Sequence, residues 1–126
     1  PNQTSNRHLL AQKYGAAVAW EAYRERAAGR ADPVVGLEVL PSLDQLDAVF
    51  GQRGVAARVA ARTAGAILYS PSAVAGGGIP VLLEHARAGG AKGPLWRASL
   101  RLARAKRIGP AVALAAGLIQ TAVARA

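Results

Sequence analysis

The stretch that most constrains this chain is Pro94 to Ala126. A helix-compatible run studded with arginine, residues 94–107, passes directly into residues 108–124, 17 positions without a charge. A basic collar feeding an uncharged helix of small residues divides its surroundings. One part faces water or phosphate, and the other faces something apolar.

On a helical wheel Arg97, Arg101 and Arg104 fall within one narrow arc. Leu95, Trp96, Ala98, Ser99, Leu102 and Ala103 fill the opposite side, so the spacing predicts a basic amphipathic helix. Pro94 suits its first position, and Pro110 restarts a slightly redirected helix for the apolar run. At 17 residues that run lies at the lower limit for crossing a bilayer, and the expectation is that it goes into or along one. Arg97, Arg101, Arg104, Lys106 and Arg107, with Trp96 at the interface, are the candidate contacts to an anionic surface or partner. Ala113, Ala116 and Gly117 offer the small-residue surface that lets helices approach closely.

Charge sharpens the division. Residues 1–50 carry five Lys/Arg against six Asp/Glu, a net of −1, whereas residues 51–126 carry eleven against Glu84 alone, a net of +10. The expected organisation is a near-neutral helical segment over 1–50 and a basic, apolar-rich one over 51–126. A polyanion, an anionic membrane surface or an acidic protein neighbour suits the second. Ala accounts for 30 of the 126 residues, Phe appears once and Met never. Alanine buries little area, at about 25 cal/mol per Å², so the helices must pack closely or finish folding against a neighbour.

Along the chain, Arg7 to Ala28 reads as a helix, with Ser5 or Asn6 as N-cap. Leu9, Ala16, Trp20, Tyr23 and Ala27 recur at helical steps and are expected to face inward, with Arg24 and Glu25 on the other side. Arg30 to Pro41 is an extended connector. Ser42 and Gln45 have capping-box spacing before a short helix, Leu43 to Phe50, with Leu43, Leu46 and Phe50 inward. A longer helix over Gly54–Tyr69 ends at Ser70-Pro71. Residues 63–83 carry no charge, but Pro71, Gly76–Gly78 and Pro80 interrupt them. A flexible glycine hinge is expected there, followed by a helix over Pro80–Arg87.

Catalytic readings find little support. Without cysteine there are no disulfides, thiolate metal sites or sulfur nucleophiles. His8 and His85 stand in no metal or triad spacing. Asp44 and Asp47 lie in a helix's first turns, where they favour its dipole. Gly76–Gly78 lacks the Gly-Lys-Ser/Thr of a phosphate loop. No cofactor and no small-molecule substrate is expected.

The run Gly93–Ala98 followed by a long C-terminal helix is faintly similar to the ends of tail-completion (neck) proteins of tailed phages. The similarity covers some thirty residues without a specific motif, and the strand-rich middle of that family is missing here. The fold class expected is all-α: a small Ala-rich protein with extended connectors. The function expected is that of a non-catalytic accessory subunit of a larger, membrane-associated complex of respiratory or photosynthetic type. An organellar site such as the mitochondrial inner membrane is the corresponding location. The alternatives are a basic, ribosomal-type nucleic-acid-binding protein and a soluble viral connector.

Overall fold

Proline and glycine punctuate the chain into helices much as their backbone chemistry demands. The computed structural model describes the backbone of residues 2–125 and the side chains of residues 8–124. The fold is all-α, with no strand among the described residues. Its elements are α1 (Asn2–Ala27), α2 (Leu46–Phe50) entered through a 3-10 turn (Leu43–Gln45), α3 (Val55–Ile67), the single turn α4 (Pro71–Ala73), α5 (Ile79–Arg87), α6 (Lys92–Arg104) and α7 (Ile108–Arg125).

Three helices close in the same way. Gly29, Gly51 and Gly89 turn left-handed just past α1, α2 and α5, with φ of 82°, 65° and 98°. The amide of the next residue reaches back into the last turn in each case: Arg30 to the Glu25 carbonyl at 2.9 Å, Gln52 to Asp47 at 3.1 Å, Gly90 to His85 at 2.9 Å. Glycine suits these positions because it has no Cβ to clash in that conformation.

α1 differs from expectation at both its start and its face. It begins at Asn2, so Ser5 and Asn6 lie within the helix and do not cap it. The residues turned inward are Ala17, Val18, Glu21, Ala22 and Glu25. Ala16 and Ala27 are exposed, Trp20 and Tyr23 are 42% and 52% exposed, and Leu9 is half-buried. The apolar stripe was therefore misplaced by roughly one residue's rotation. Two glutamates take the inner face because arginine and glutamine partners meet them there: Arg58 for Glu21, and Arg30 and Gln52 for Glu25.

The connector after α1 forms turns with no ladder. Asp32 Oδ1 accepts the Val34 amide at 2.9 Å, and the Tyr14 hydroxyl donates to the Pro41 carbonyl at 2.6 Å, tying the connector's end back to α1. At Ser42 the Gln45 side chain accepts the backbone amide at 3.2 Å, as the capping-box spacing predicts. Leu46 and Phe50 are buried and Leu43 half-buried.

The glycine run is not a loose hinge. Val74–Gly78 forms a wide turn that leads directly into α5, with Gly77 at φ 118°. A Cβ at Gly78 would meet Ile67 Cδ1 at 2.6 Å and the Ala73 carbonyl oxygen at 2.9 Å. This glycine is a point of close approach between the turn and α3.

Two apolar clusters result. Ala17, Val18 and Ala22 of α1, Leu46 and Phe50 of α2, and Val55 and Val59 of α3 form the smaller. The larger joins Ala60, Ala64 and Ile67 of α3 to Val81, Leu82 and Ala86 of α5, Leu95, Ala98 and Leu102 of α6, and Ala111, Leu114 and Leu118 of α7. Thr63 is also fully buried, and its hydroxyl has no hydrogen-bond partner among the described residues.

Candidate docking surface

The basic and apolar runs singled out in the sequence form a helical hairpin. In α6 the inward positions are Leu95, Ala98, Ser99 and Leu102. Ser99 Oγ donates to the Ala111 carbonyl at 2.9 Å, which locks α6 to the first turns of α7. The helices do not run on from one another. After Arg104 the Lys106 amide returns to the Ala103 carbonyl at 3.0 Å and the Arg107 amide to Leu102 at 2.8 Å. This is the closure seen at the three glycines, yet Lys106 occupies the left-handed position, with φ 62°. Pro94 and Pro110 each stand third in their helices and not first.

α7 turns Ala111, Leu114, Leu118 and Thr121 inward. Of the three small residues singled out in the sequence, one meets another helix of this chain. Gly117 packs against α5, where a Cβ would meet both Leu83 methyls at 2.6 Å. Ala113 and Ala116 are exposed and take no part in that contact. Among the described residues no helix is long and apolar enough to cross a membrane. The C-terminal helix lies along the protein, one flank closed by α5 and α6.

Its other flank is apolar and open. Ile108, Val112, Ile119 and Val123 are between 54% and 69% exposed, and they recur at 4, 7 and 4 residues, which is one stripe. On α6, Trp96, Leu100 and Ala103 are exposed and follow Ser99 around the helix on the side of α7. The two flanks thus meet over the hairpin as one outward apolar surface. Extended exposed apolar surface with a polar rim is characteristic of interaction sites.

The predicted contact residues separate into two groups. Arg97, Arg104 and Lys106 are exposed at the outer edge of α6 and its turn, beside Trp96. Arg101 and Arg107 are engaged within the protein. The Arg101 guanidinium lies 4.6 Å over the Tyr69 ring and donates to the Leu68 carbonyl at 3.3 Å. Arg107 donates to Ser72 Oγ at 3.2 Å. No acidic residue occurs anywhere from Lys92 to Arg125.

Sequence reasoning missed a second surface, carried by α1 and α3. The Trp20 and Tyr23 rings stack with centroids 5.5 Å apart, and the Arg62 guanidinium lies 4.6 Å over Trp20. The available signal was the seven-residue spacing of Arg62 and Tyr69, which puts both on one face of a helix running to residue 69; α3 ends at Ile67, with Tyr69 just beyond it.

Among the described residues no group of three His, Asp or Glu could hold a metal ion. His8 is exposed and His85 half-buried. Comparison with known protein families, with curated proteins and with solved structures finds no family and no chain similar to this one.

Proposed function

We propose that this protein is a non-catalytic accessory subunit that holds a larger assembly to an anionic membrane surface through the outer face of the α6–α7 hairpin. The observation that carries this reading is the apolar stripe of Ile108, Val112, Ile119 and Val123, continued by Trp96 and Leu100 and edged by Arg97, Arg104 and Lys106. A helix with one apolar flank and a cationic edge lies in the interface plane, its apolar side sunk to the acyl boundary. Each exposed cation contributes about 1 kcal/mol near an anionic leaflet. Trp96 suits the headgroup level. Nucleic acid would use the cations but leave the apolar stripe in water, so it makes the poorer partner.

Vesicle flotation tests this. The chain should float with phosphatidylglycerol-containing vesicles and stay behind with pure phosphatidylcholine. V112D/I119D should abolish flotation, and R97Q/R104Q/K106Q should weaken it and flatten its salt dependence. Alkaline carbonate should release the bound protein, since no described helix is long and apolar enough to cross a membrane. Failure to float with the anionic vesicles overturns the reading.

A further inference from the structure

Apart from the apolar stripe, two arginines, Arg62 of α3 and Arg101 of α6, are laid on aromatic rings. Arg62 sits over Trp20, itself stacked on Tyr23, and Arg101 sits over Tyr69. Arg62 lies in α3 and Tyr69 two residues past its end, seven positions on, a separation of about 10 Å at helical rise. Between them Gly65 and Ala66 are exposed, and nothing lies within 4 Å of where a Gly65 Cβ would be. The ridge is thus two cationic stacks flanking a shallow saddle.

We propose that this ridge is a second docking surface, and that it takes a carboxylate-bearing segment of a partner protein. The stacks determine the chemistry. Arg62, with one flat face on Trp20, keeps its N–H edges for a partner, and Arg101 keeps the edge formed by Nε and Nη2, since only its Nη1 is given to the Leu68 carbonyl; both are already oriented, so less side-chain entropy is lost on binding. The planar fork of a guanidinium matches a carboxylate with two parallel hydrogen bonds. Exposed Trp, Tyr and Arg gathered in one place have the composition of an interface hot spot. Charge is complementary as well. Glu21 and Glu25 of α1 are buried and paired with Arg58 and Arg30, and among the described residues no ion pair involves Arg62 or Arg101. A helix with two glutamates seven residues apart spans the saddle from one stack to the other. Nucleobases fit less well, because the Trp20 ring is already engaged by both Tyr23 and Arg62.

The test uses the full chain in a W96F background, so that Trp20 is the sole indole. The probe is a helix-forming peptide with two glutamates seven residues apart, and its glutamine counterpart is the control. The acidic peptide should shift Trp20 emission and the control should not. R62Q and R101Q should each weaken binding about tenfold, the loss of about 1.4 kcal/mol. Flotation with anionic vesicles should be unchanged in R62Q, which separates this surface from the hairpin. R62Q sits at an exposed position, and circular dichroism verifies that it is folded. No response to the acidic peptide, or a response unchanged in R62Q, overturns the proposal. A Trp20 response to oligo-dT that exceeds the response to the peptide and is lost in R62Q overturns it in favour of nucleic acid.

Discussion

Both Nε and Nη2 of Arg58 donate to the same oxygen of Glu21, at 3.0 and 2.8 Å, and this joins α1 to α3 across 37 residues of sequence. The Glu21 side chain is 4% exposed and that of Arg58 is 40%. The carboxylate is thus withdrawn from water while its partner is half in it. Glu21 holds the Arg58 guanidinium above the ordinary arginine range, despite the opposing effect of desolvation. E21Q should lower stability by about 1–2 kcal/mol, the lower part of the range for hydrogen bonds to charged groups, because Arg58 is partly solvated. Urea unfolding of E21Q, R58M and E21L/R58M should find the double variant less damaged than the single effects added together.

Lys106 holds a backbone conformation that costs a side-chain-bearing residue about 1–2 kcal/mol. K106G should therefore raise the melting temperature, with a gain of about 1 kcal/mol. The same substitution removes an exposed cation, so affinity for anionic vesicles should fall. Scanning calorimetry and flotation on one variant should move in opposite directions.

Gly78 tests whether the wide turn is close-packed or loose. G78A places a methyl against Ile67 and the Ala73 carbonyl, and the second of these is backbone that cannot swing aside. The expected loss is about 1–3 kcal/mol in chemical denaturation. A loose hinge would tolerate alanine or gain from it.

Two pH limits follow from groups that hold the connector. Burial, helped by the Asp44 carboxylate, pushes the Tyr14 phenol up to about 12. An unfolded tyrosine titrates near 10, so the folded state favours the neutral form. The contribution is complete below about pH 10 and is lost as pH rises from there toward 12. At the acid end, the Arg30 hydrogen bond holds the Glu25 carboxyl below its usual range, and the Val34 amide does the same for Asp32. Their contribution is present above about pH 4 and disappears as pH falls through the lowered values. Melting temperature against pH should show both edges, with Y14F removing the alkaline one and E25Q reducing the acid one.

The breaks between elements were legible because local chemistry sets them. Ser70-Pro71, Gly29, Gly51 and the Gly89-Gly90 pair stop helices whatever surrounds them. The inward residues of α2 and α6 were legible too, since bulky aliphatics there have charged neighbours on the opposite side. The inner face of α1 was not legible, because its alanines fit either face and its two large aromatics, Trp20 and Tyr23, lie on the outer one. What turned Glu21 and Glu25 inward was Arg58 and Gln52, distant in sequence and invisible to periodicity. The partners of two of the basic residues were hidden for a similar reason. Nothing local reveals that Tyr69 and Ser72 lie against Arg101 and Arg107, or that Gly117 admits Leu83.

α3 contributes Val55 and Val59 to one apolar cluster and Ala60, Ala64 and Ile67 to the other, so a single rod threads both. Neither end of the molecule can come apart without stripping a partner from that rod. The chain should accordingly melt in one step, and the amide protons of α3 should be the last to trade with solvent deuterium.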